Sequence, residues 1–283
     1  MRGHLAGMDH VVVLARALDQ AARAWHDLGF TLSPRGVHSA HIGSANHTIP
    51  LGADYIELLG ILTPTDVNRN ARAFLDRREG LERIALRTDD AAAGVQALQA
   101  AGLAVTGPLA FGRPVDLPGG LTGEARFRTF HWPPGLAPAG VGLFACQHLT
   151  PEAVWVPEWQ RHTNGAQGLD HVGVLAADPH AAGKRCAELT GLVAEVEEPG
   201  VVSVATGPGR GTIRFLDTDG FARRYPGLAL ADPGEEGARV LCVRVADLAL
   251  AGRHAPPDSV RGPGTITVLP THANGVAVRF IEA

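Results

Sequence analysis

An internal repeat is the sequence feature that most constrains the fold. Residues 8–15 have the sequence MDHVVVLA and residues 169–176 have LDHVGVLA, so six of the eight positions are identical. A weaker similarity relates IALRTDD at residues 84–90 to LCVRVAD at residues 241–247, which divides each half of the chain again. Repeats of this kind identify a supersecondary unit that buries its apolar face only against neighbouring copies. The chain is therefore predicted to contain four related units.

Each unit has the same predicted order of elements. In the first unit, the β-branched residues 11–14 predict a strand, and the apolar spacing of residues 19–28 predicts a helix. Gly29 then ends the helix, and two extended segments follow at residues 47–51 and 55–62. The same order is predicted for three further units, which begin at Arg83, Asp170 and Val240. The predicted fold class is therefore α+β, with tandem βαβββ units.

The composition is that of a globular chain and excludes several classes of protein. The 283 residues suffice for two domains, and the net charge of −4 is spread along the chain. Without a basic block, neither nucleic acid nor a membrane surface is an expected partner. No apolar run approaches the ~20 residues that cross a bilayer, and the first residues do not resemble a signal peptide. The three cysteines are far apart, which favours reduced thiols and predicts a cytoplasmic protein.

A short segment at residues 151–167 separates the two halves of the chain. It contains two prolines, two tryptophans and an Asn-Gly turn. Trp155 and Trp159 favour burial, so the segment is predicted to be a strap that packs across the first domain and not a flexible linker. The predicted domains are therefore residues 1–150 and residues 168–283.

These motifs resemble the vicinal-oxygen-chelate superfamily, which includes glyoxalase I, extradiol dioxygenases, epimerases and antibiotic-resistance proteins. The likeness is greatest to bacterial glyoxalase-like domain proteins. The residues that carry it are Asp9-His10 at the start of a strand, Leu28-Gly29-Phe30 at the end of the helix, the turn at residues 43–47, and Tyr55-Ile56-Glu57-Leu58 in the fourth strand. The resemblance implies two domains, each a half-open barrel of paired βαβββ units.

The resemblance also implies a divalent metal in the cleft of the N-terminal domain. His10 and Glu57 match the ligand positions on the first and fourth strands, and His148 is the third predicted ligand. Two histidines and one carboxylate form the ligand set of many non-haem iron sites, so Fe, Mn, Zn, Ni or Co is expected. Without a metal, Glu57 is the predicted catalytic base. An ion pair between Glu57 and an arginine such as Arg87 or Arg128 is the alternative.

Other polar residues predict a substrate-binding wall. His38, His41, Asn46 and His47 lie in a glycine-rich stretch that either lines the pocket or forms a solvated turn. Arginines that alternate with phenylalanines near residue 128 either bind an anionic substrate or pair with acids. A tryptophan near the same place lies either at the rim or in the core. The predicted substrate-binding residues are His38, Asn46, His47, Arg128 and Trp132.

The C-terminal domain is predicted to lack a metal. It keeps His171, but Arg214 occupies the position that aligns with Glu57, and a guanidinium cannot bind a cation. Glu282 in the last strand is a candidate substitute acid.

The leading functional hypothesis is a metal-dependent lyase, isomerase or dioxygenase that acts on a small oxygen-rich substrate in the N-terminal cleft. The alternative is a non-catalytic protein that binds or sequesters a small molecule, as in antibiotic resistance. A third hypothesis is a remnant that serves only structure or partner binding. The sequence does not decide between a monomer and a homodimer.

Overall fold

Two eight-stranded sheets organise residues 4–229, 232 and 234–283, which this computed structural model describes. The strands of the first sheet are β1 (Leu5–Ala15), β2 (Gly36–Val37), β3 (Ser44–Leu51), β4 (Asp54–Ile61), β5 (Gly80–Thr88), β6 (Thr106–Leu117), β7 (Leu121–His131) and β8 (Gly142–His148). The helices of this half are α1 (Leu18–Asp27), α2 (Arg69–Arg77) and α3 (Ala91–Ala100).

The second sheet repeats this arrangement. Its strands are β9 (Ala166–Leu175), β10 (Ala194–Glu198), β11 (Val201–Ala205), β12 (Thr212–Leu216), β13 (Gly237–Val245), β14 (Val260–Gly262), β15 (Thr265–Val268) and β16 (Ala277–Glu282). The helices are α4 (Pro179–Thr190), α5 (Thr218–Arg224) and α6 (Leu248–His254).

The strand order confirms the predicted tandem units. The first sheet has the order β2-β3-β4-β1-β5-β8-β7-β6, and the second has the equivalent order β10-β11-β12-β9-β13-β16-β15-β14. Within a unit the first and last strands are parallel neighbours, as β1 and β4 are, and two units join through their antiparallel first strands β1 and β5. The α+β fold class is therefore confirmed.

Several elements, among them β2, two connecting helices and β6, were not predicted. Helices α2 and α5 connect the paired units, although α2 has the helical apolar spacing Ala71, Phe74 and Leu75. Strand β6 was also absent from the prediction, because glycine and proline interrupt its sequence TGPLAFGRPVDL. Its pairing with β7 holds it in the sheet.

The two faces of the first sheet have different roles. In β1, Val11 and Val13 belong to the core beneath α1 and α3, whereas Val12 and Leu14 point to the opposite, concave side. The two edge strands β2 and β6 are in contact, so the sheet curls around this concave side. The curvature leaves room for a cavity lined by every second residue of several strands.

The segment between the sheets lies against the same concave side. Ala153, Val154, Val156 and Trp159 are buried with Leu14 in one cluster. The segment therefore shields one end of the concave face from water. None of the described helices is long and apolar enough to cross a membrane.

Candidate functional site

A cavity of about 350 Å³ lies on the concave side of the first sheet. This volume is near the lower end of the range for small-molecule pockets. Its walls are mainly apolar, and polar side chains reach it from several strands, including β1, β3, β4, β5, β6 and β7. Among the lining residues are Leu59, Phe111, Phe127, Phe144, His10, His38, Asn46, Glu57 and Arg113.

An aspartate–histidine pair lies at the base of the cavity. The Nδ1 atom of His10 is 2.6 Å from Oδ1 of Asp9, and both residues are buried. Burial alone would raise the pKa of Asp9, but His148 and His10 together lower this pKa well below its usual range. An ionised carboxylate only accepts hydrogen bonds, so the proton of His10 lies on Nδ1. In the neutral imidazole Nε2 is then the acceptor, and this atom faces Glu57 and the cavity.

Glu57 faces this acceptor from β4. Its Oε2 atom is 3.7 Å from His10 Nε2, and its Oε1 atom accepts a hydrogen bond of 2.5 Å from Asn46 Nδ2. Tyr55 stacks on the imidazole of His10 with ring centroids 4.1 Å apart, which holds the ring in place. Two acceptors thus oppose each other across a short gap. Such a gap suits a cation, a proton or a donor group of a ligand.

These residues fit a metal ion held by His10 Nε2 and Glu57 Oε2. Asp9 would support the ligand from behind, as carboxylates do in many histidine–metal sites. The third predicted ligand, His148, lies elsewhere: its Nε2 atom is 2.8 Å from Asp9 Oδ1, on the Nδ1 side of His10. One ring nitrogen of His10 faces Glu57 and the other faces Asp9, so in this structure Glu57 and His148 lie on opposite sides of the imidazole.

Asp9, His10 and His148 form a separate group whose ligand atoms lie within 4.8 Å of one another. Asp9 Oδ2 and His148 Nδ1 are buried there without a hydrogen-bond partner among the described residues. This group could also hold a metal, but it lies behind the imidazole and does not line the cavity through His148.

Arg113 is the most unusual side chain of the cavity wall. It is only 3% exposed, yet it forms no hydrogen bond or ion pair with any residue that the structure describes. Burial lowers the pKa of Arg113, and the charge of Glu57 opposes this effect without direct contact. An unpaired buried charge costs several kcal/mol.

The predicted substrate-binding residues divide into two groups. His38 and Asn46 line the cavity, and His38 Nδ1 is 2.9 Å from Ser44 Oγ. Burial lowers the pKa of His38, so this imidazole is neutral at physiological pH. His47 lies on the other face of β3, where its Nδ1 atom is 2.8 Å from the carbonyl oxygen of Ser33.

Arg128 and Trp132, also predicted to bind substrate, do not line this cavity. Strand alternation in β7 turns Phe127 and Thr129 inward and leaves Arg128 exposed to solvent. Trp132 is buried, and its Nε1 atom donates a hydrogen bond of 3.1 Å to the carbonyl oxygen of Leu189 in the second half of the chain. Neither the predicted pairing of Arg87 nor that of Arg128 with Glu57 is formed among the described residues.

Two residues at the site, Asp9 and Arg113, were not among the predicted site residues, whereas His131 had been considered for the rim of the cleft. The repeat could have identified Asp9, because an Asp-His pair occurs in both copies. Strand alternation could have identified Arg113, because it shares one face of β6 with Leu109, Phe111 and Val115. His131 lines the cavity, and burial, aided by Arg83, lowers its pKa to about 4.

The corresponding site in the C-terminal half is covered. His171 Nδ1 is 2.6 Å from Asp170 Oδ2, but its Nε2 atom is 2.8 Å from the hydroxyl of the buried Tyr225. Arg214 is bonded to Glu197, with 3.0 Å between Nε and Oε1. Glu282, the proposed substitute acid, is exposed and accepts a hydrogen bond from the backbone of Leu248 instead.

Comparisons with solved structures support the fold. A hypothetical protein from Staphylococcus aureus aligns at 13% identity with a TM-score of 0.71, covering 98% of this chain and 99% of that one. A mutant of 4-hydroxymandelate synthase from Streptomyces coelicolor aligns at 14% identity with a TM-score of 0.61, covering 98% and 92%. A fusion of a xylose isomerase-like TIM barrel and 4-hydroxyphenylpyruvate dioxygenase aligns at 15% identity with a TM-score of 0.59, covering 98% and 48%. Similarity at this level establishes the fold and not the activity.

The comparison with family models agrees with the predicted superfamily. Residues 8–190 match the family described as a glyoxalase-like domain, which is more than half of the chain. A search of curated proteins gives no significant match. The chain therefore belongs to the glyoxalase-like domain family, in the vicinal-oxygen-chelate superfamily that its repeated motifs resemble.

Proposed function

We propose that this protein is an enzyme that moves a proton on a small, oxygen-bearing substrate bound in the N-terminal cavity. The observation that carries the proposal is the gap of 3.7 Å between His10 Nε2 and Glu57 Oε2. Both atoms are acceptors, and both are held in place from behind, His10 by Asp9 and Glu57 by Asn46. A preorganised pair of this kind suits a base or a cation site.

A divalent ion, of Fe, Mn, Zn, Ni or Co, would be held by His10 and Glu57 and would act as a Lewis acid toward vicinal oxygens of the substrate. The other groups of the chain have separate tasks. Asp9 orients the imidazole, Asn46 orients the carboxylate, and the apolar walls exclude water from the reacting atoms. In the absence of an ion, Glu57 is the group placed to accept a substrate proton.

The ligand set favours a lyase or an isomerase over a dioxygenase. Oxygen chemistry at non-haem iron generally uses two histidines and one carboxylate with open positions. The cavity presents His10 and Glu57, while His148 is turned to Asp9 behind the imidazole. Proton transfer beside a Lewis acid does not require two histidines and one carboxylate around the metal.

The second candidate function is non-catalytic binding of a small molecule, and the mainly apolar wall is the observation that favours it. A cavity that only binds needs no aligned base. The two functions therefore make different predictions for His10 and Glu57. An enzyme needs these residues for proton transfer, whereas a binding protein needs them only for affinity.

The test combines metal content with proton exchange. Protein purified without a histidine tag is analysed for bound metals, and its exchange of deuterium into a panel of 2-hydroxy ketones and 2-oxo acids is followed by NMR. We expect exchange that is lost in His10→Ala and Glu57→Gln. The matched control is His47→Ala, which removes a histidine from the opposite face of β3 and should keep the activity. Wild-type protein that binds none of the five metals and exchanges no probe would refute the enzyme and favour the binding protein.

A further inference from the structure

We infer that the ligand of the N-terminal cavity is a monocarboxylate with an apolar body, and that Arg113 binds its carboxylate. The inference rests on the proposed use of this cavity and names the class of its substrate. Arg113 and its surroundings carry it, independently of His10.

The first step is the isolation of the guanidinium. Arg113 is almost fully buried and has no hydrogen-bond or ion-pair partner among the described residues, and its Nε atom is inaccessible to water. Buried charges in folded proteins are normally paired. The guanidinium has five N–H donors in a planar fork that matches a carboxylate. The missing partner is therefore expected to come from the ligand.

The nearest acid does not supply that partner. Glu57 influences Arg113 electrostatically, but one of its oxygens is bonded to Asn46 and the other faces His10. The other arginine of the wall, Arg83, is bonded through Nε to Glu82 and is partly exposed. Arg113 is thus the cation of this wall that is left to balance an incoming charge.

The fold makes specific room for this side chain. Gly36 lies on edge strand β2, and a Cβ atom at that position would collide with the guanidinium of Arg113. The arginine therefore occupies the seam where β2 meets β6, and the absence of a side chain at position 36 is what permits it. A side chain built into a seam in this way is held in one position, which is the condition for selective recognition.

The walls define the rest of the ligand. Leu59, Phe111, Phe127 and Phe144 present apolar surface to the cavity, so the body of the ligand is apolar or aromatic. Arg113 is the one arginine of this wall without a partner among the described residues, so it matches one negative charge. A phosphate, with nearly two charges at neutral pH, would need a second cation, and His38 is held neutral by its burial.

The test measures binding by calorimetry with defined probes. The carboxylates are phenylacetate, phenyllactate and hexanoate, each compared with its neutral amide, and phenyl phosphate is the dianionic comparison. In wild-type protein the carboxylates should bind at least about tenfold more tightly than the amides, as a charge-assisted hydrogen bond provides. Arg113→Met should abolish the preference, and Arg113→Lys should retain part of it. The matched control is Arg128→Met, an exposed arginine on the neighbouring strand β7, which should leave the preference unchanged.

Several outcomes overturn the inference. They are equal affinity for acids and amides, a preference that survives in Arg113→Met, tighter binding of phenyl phosphate, and no binding of any carboxylate. Folding of the variant is tested separately, because removing an unpaired buried charge should raise the melting temperature of the ligand-free protein. A lower melting temperature for Arg113→Met would instead identify a structural arginine.

The same measurements separate this inference from the proposed enzyme. If the carboxylate preference persists in His10→Ala while metal binding and proton exchange are absent in wild type, the enzyme is refuted and the ligand class stands. If exchange occurs but Arg113→Met does not change the preference, the ligand class is refuted and the enzyme stands.

Discussion

The two halves of the chain carry the same aspartate–histidine pair and use it differently. In the first half, His10 Nε2 faces a carboxylate across an open cavity. In the second half, His171 Nε2 contacts the hydroxyl of Tyr225, and burial lowers the pKa of His171. The pair is thus a structural feature of the repeat. What the histidine can do chemically depends on the group that contacts its Nε2 atom.

One sequence difference between the two copies of the repeat explains why Tyr225 can cover His171. Position 12 is valine in the first copy, and the equivalent position in the second copy is Gly173. A Cβ atom at Gly173 would lie 2.5 Å from the hydroxyl of Tyr225, so glycine is what admits the tyrosine. Tyr225 directly follows α5, whereas Arg78 directly follows α2 and pairs with Glu235. The first cavity therefore stays open.

The largest expected effect separates the two histidines. Under the proposed function, His10→Ala should lose a divalent ion that wild type holds at about one per chain, because it removes one of the two proposed ligands. His171→Ala should leave the metal content unchanged, because Tyr225 covers that imidazole. The measurement is elemental analysis of both variants beside wild type. Equal metal loss in the two variants would break the proposed contrast between the halves.

The next effect concerns a buried acid that links the halves. Asp54 accepts hydrogen bonds of 3.1 and 3.2 Å from the backbone N–H of Leu169, and burial raises its pKa from 3.8 to about 7. Between these two pH values the folded protein keeps a proton that the unfolded chain has released. The stabilisation is therefore present below about pH 4 and is lost as the pH rises through about 7.

Asp54→Asn keeps an acceptor for Leu169 and carries no charge at any pH. We expect it to unfold like wild type at pH 4 and to be more stable at pH 8 by up to about 4 kcal/mol. Urea unfolding at the two pH values measures this difference. Asp27→Asn, at an exposed site on α1, is the control that should show none. A stability gain at pH 4 equal to that at pH 8 would exclude titration of Asp54 as the cause.

A smaller effect tests the cover over His171. Tyr225→Phe keeps the ring and removes the hydroxyl, so His171 Nε2 loses its partner at a cost of about 1–3 kcal/mol in the free energy of unfolding. Tyr55, the other tyrosine of the chain, stacks on His10, and its hydroxyl makes no hydrogen bond with the described residues. Tyr55→Phe should therefore change stability by less. The comparison fails if Tyr55→Phe proves the more destabilising of the two.

The smallest effect concerns Glu57 in the metal-free protein. No arginine forms an ion pair with Glu57 among the described residues, so Glu57→Gln should cost about 1 kcal/mol or less in chelator, compared with the ~3–5 kcal/mol of a broken buried pair. The same variant should bind metal more weakly. A large loss of apo stability with unchanged metal affinity would show that Glu57 serves an ion pair.

The sequence by itself determined the repeated architecture. The Asp-His strand, the following helix and its glycine recur in both halves, and a unit with such an apolar face must pair with copies of itself. The resemblance of the same motifs to the superfamily placed His10 and Glu57 on the first and fourth strands, and both side chains line the cavity because alternate residues of a strand share one face.

Only the tertiary structure decided which arginine lines the cavity and which histidine keeps its Nε2 atom accessible to a ligand. Arg128 was chosen from its aromatic neighbours, but the pairing of β7 with β6 turns it outward and brings Arg113 in. The cover over His171 comes from Tyr225, which is 54 residues away in the sequence. Both outcomes depend on contacts between distant segments and on the room left by a glycine, at position 36 in one case and at position 173 in the other. Local periodicity specifies the face of a strand, whereas the curvature of the sheet and the connecting helices determine what that face meets.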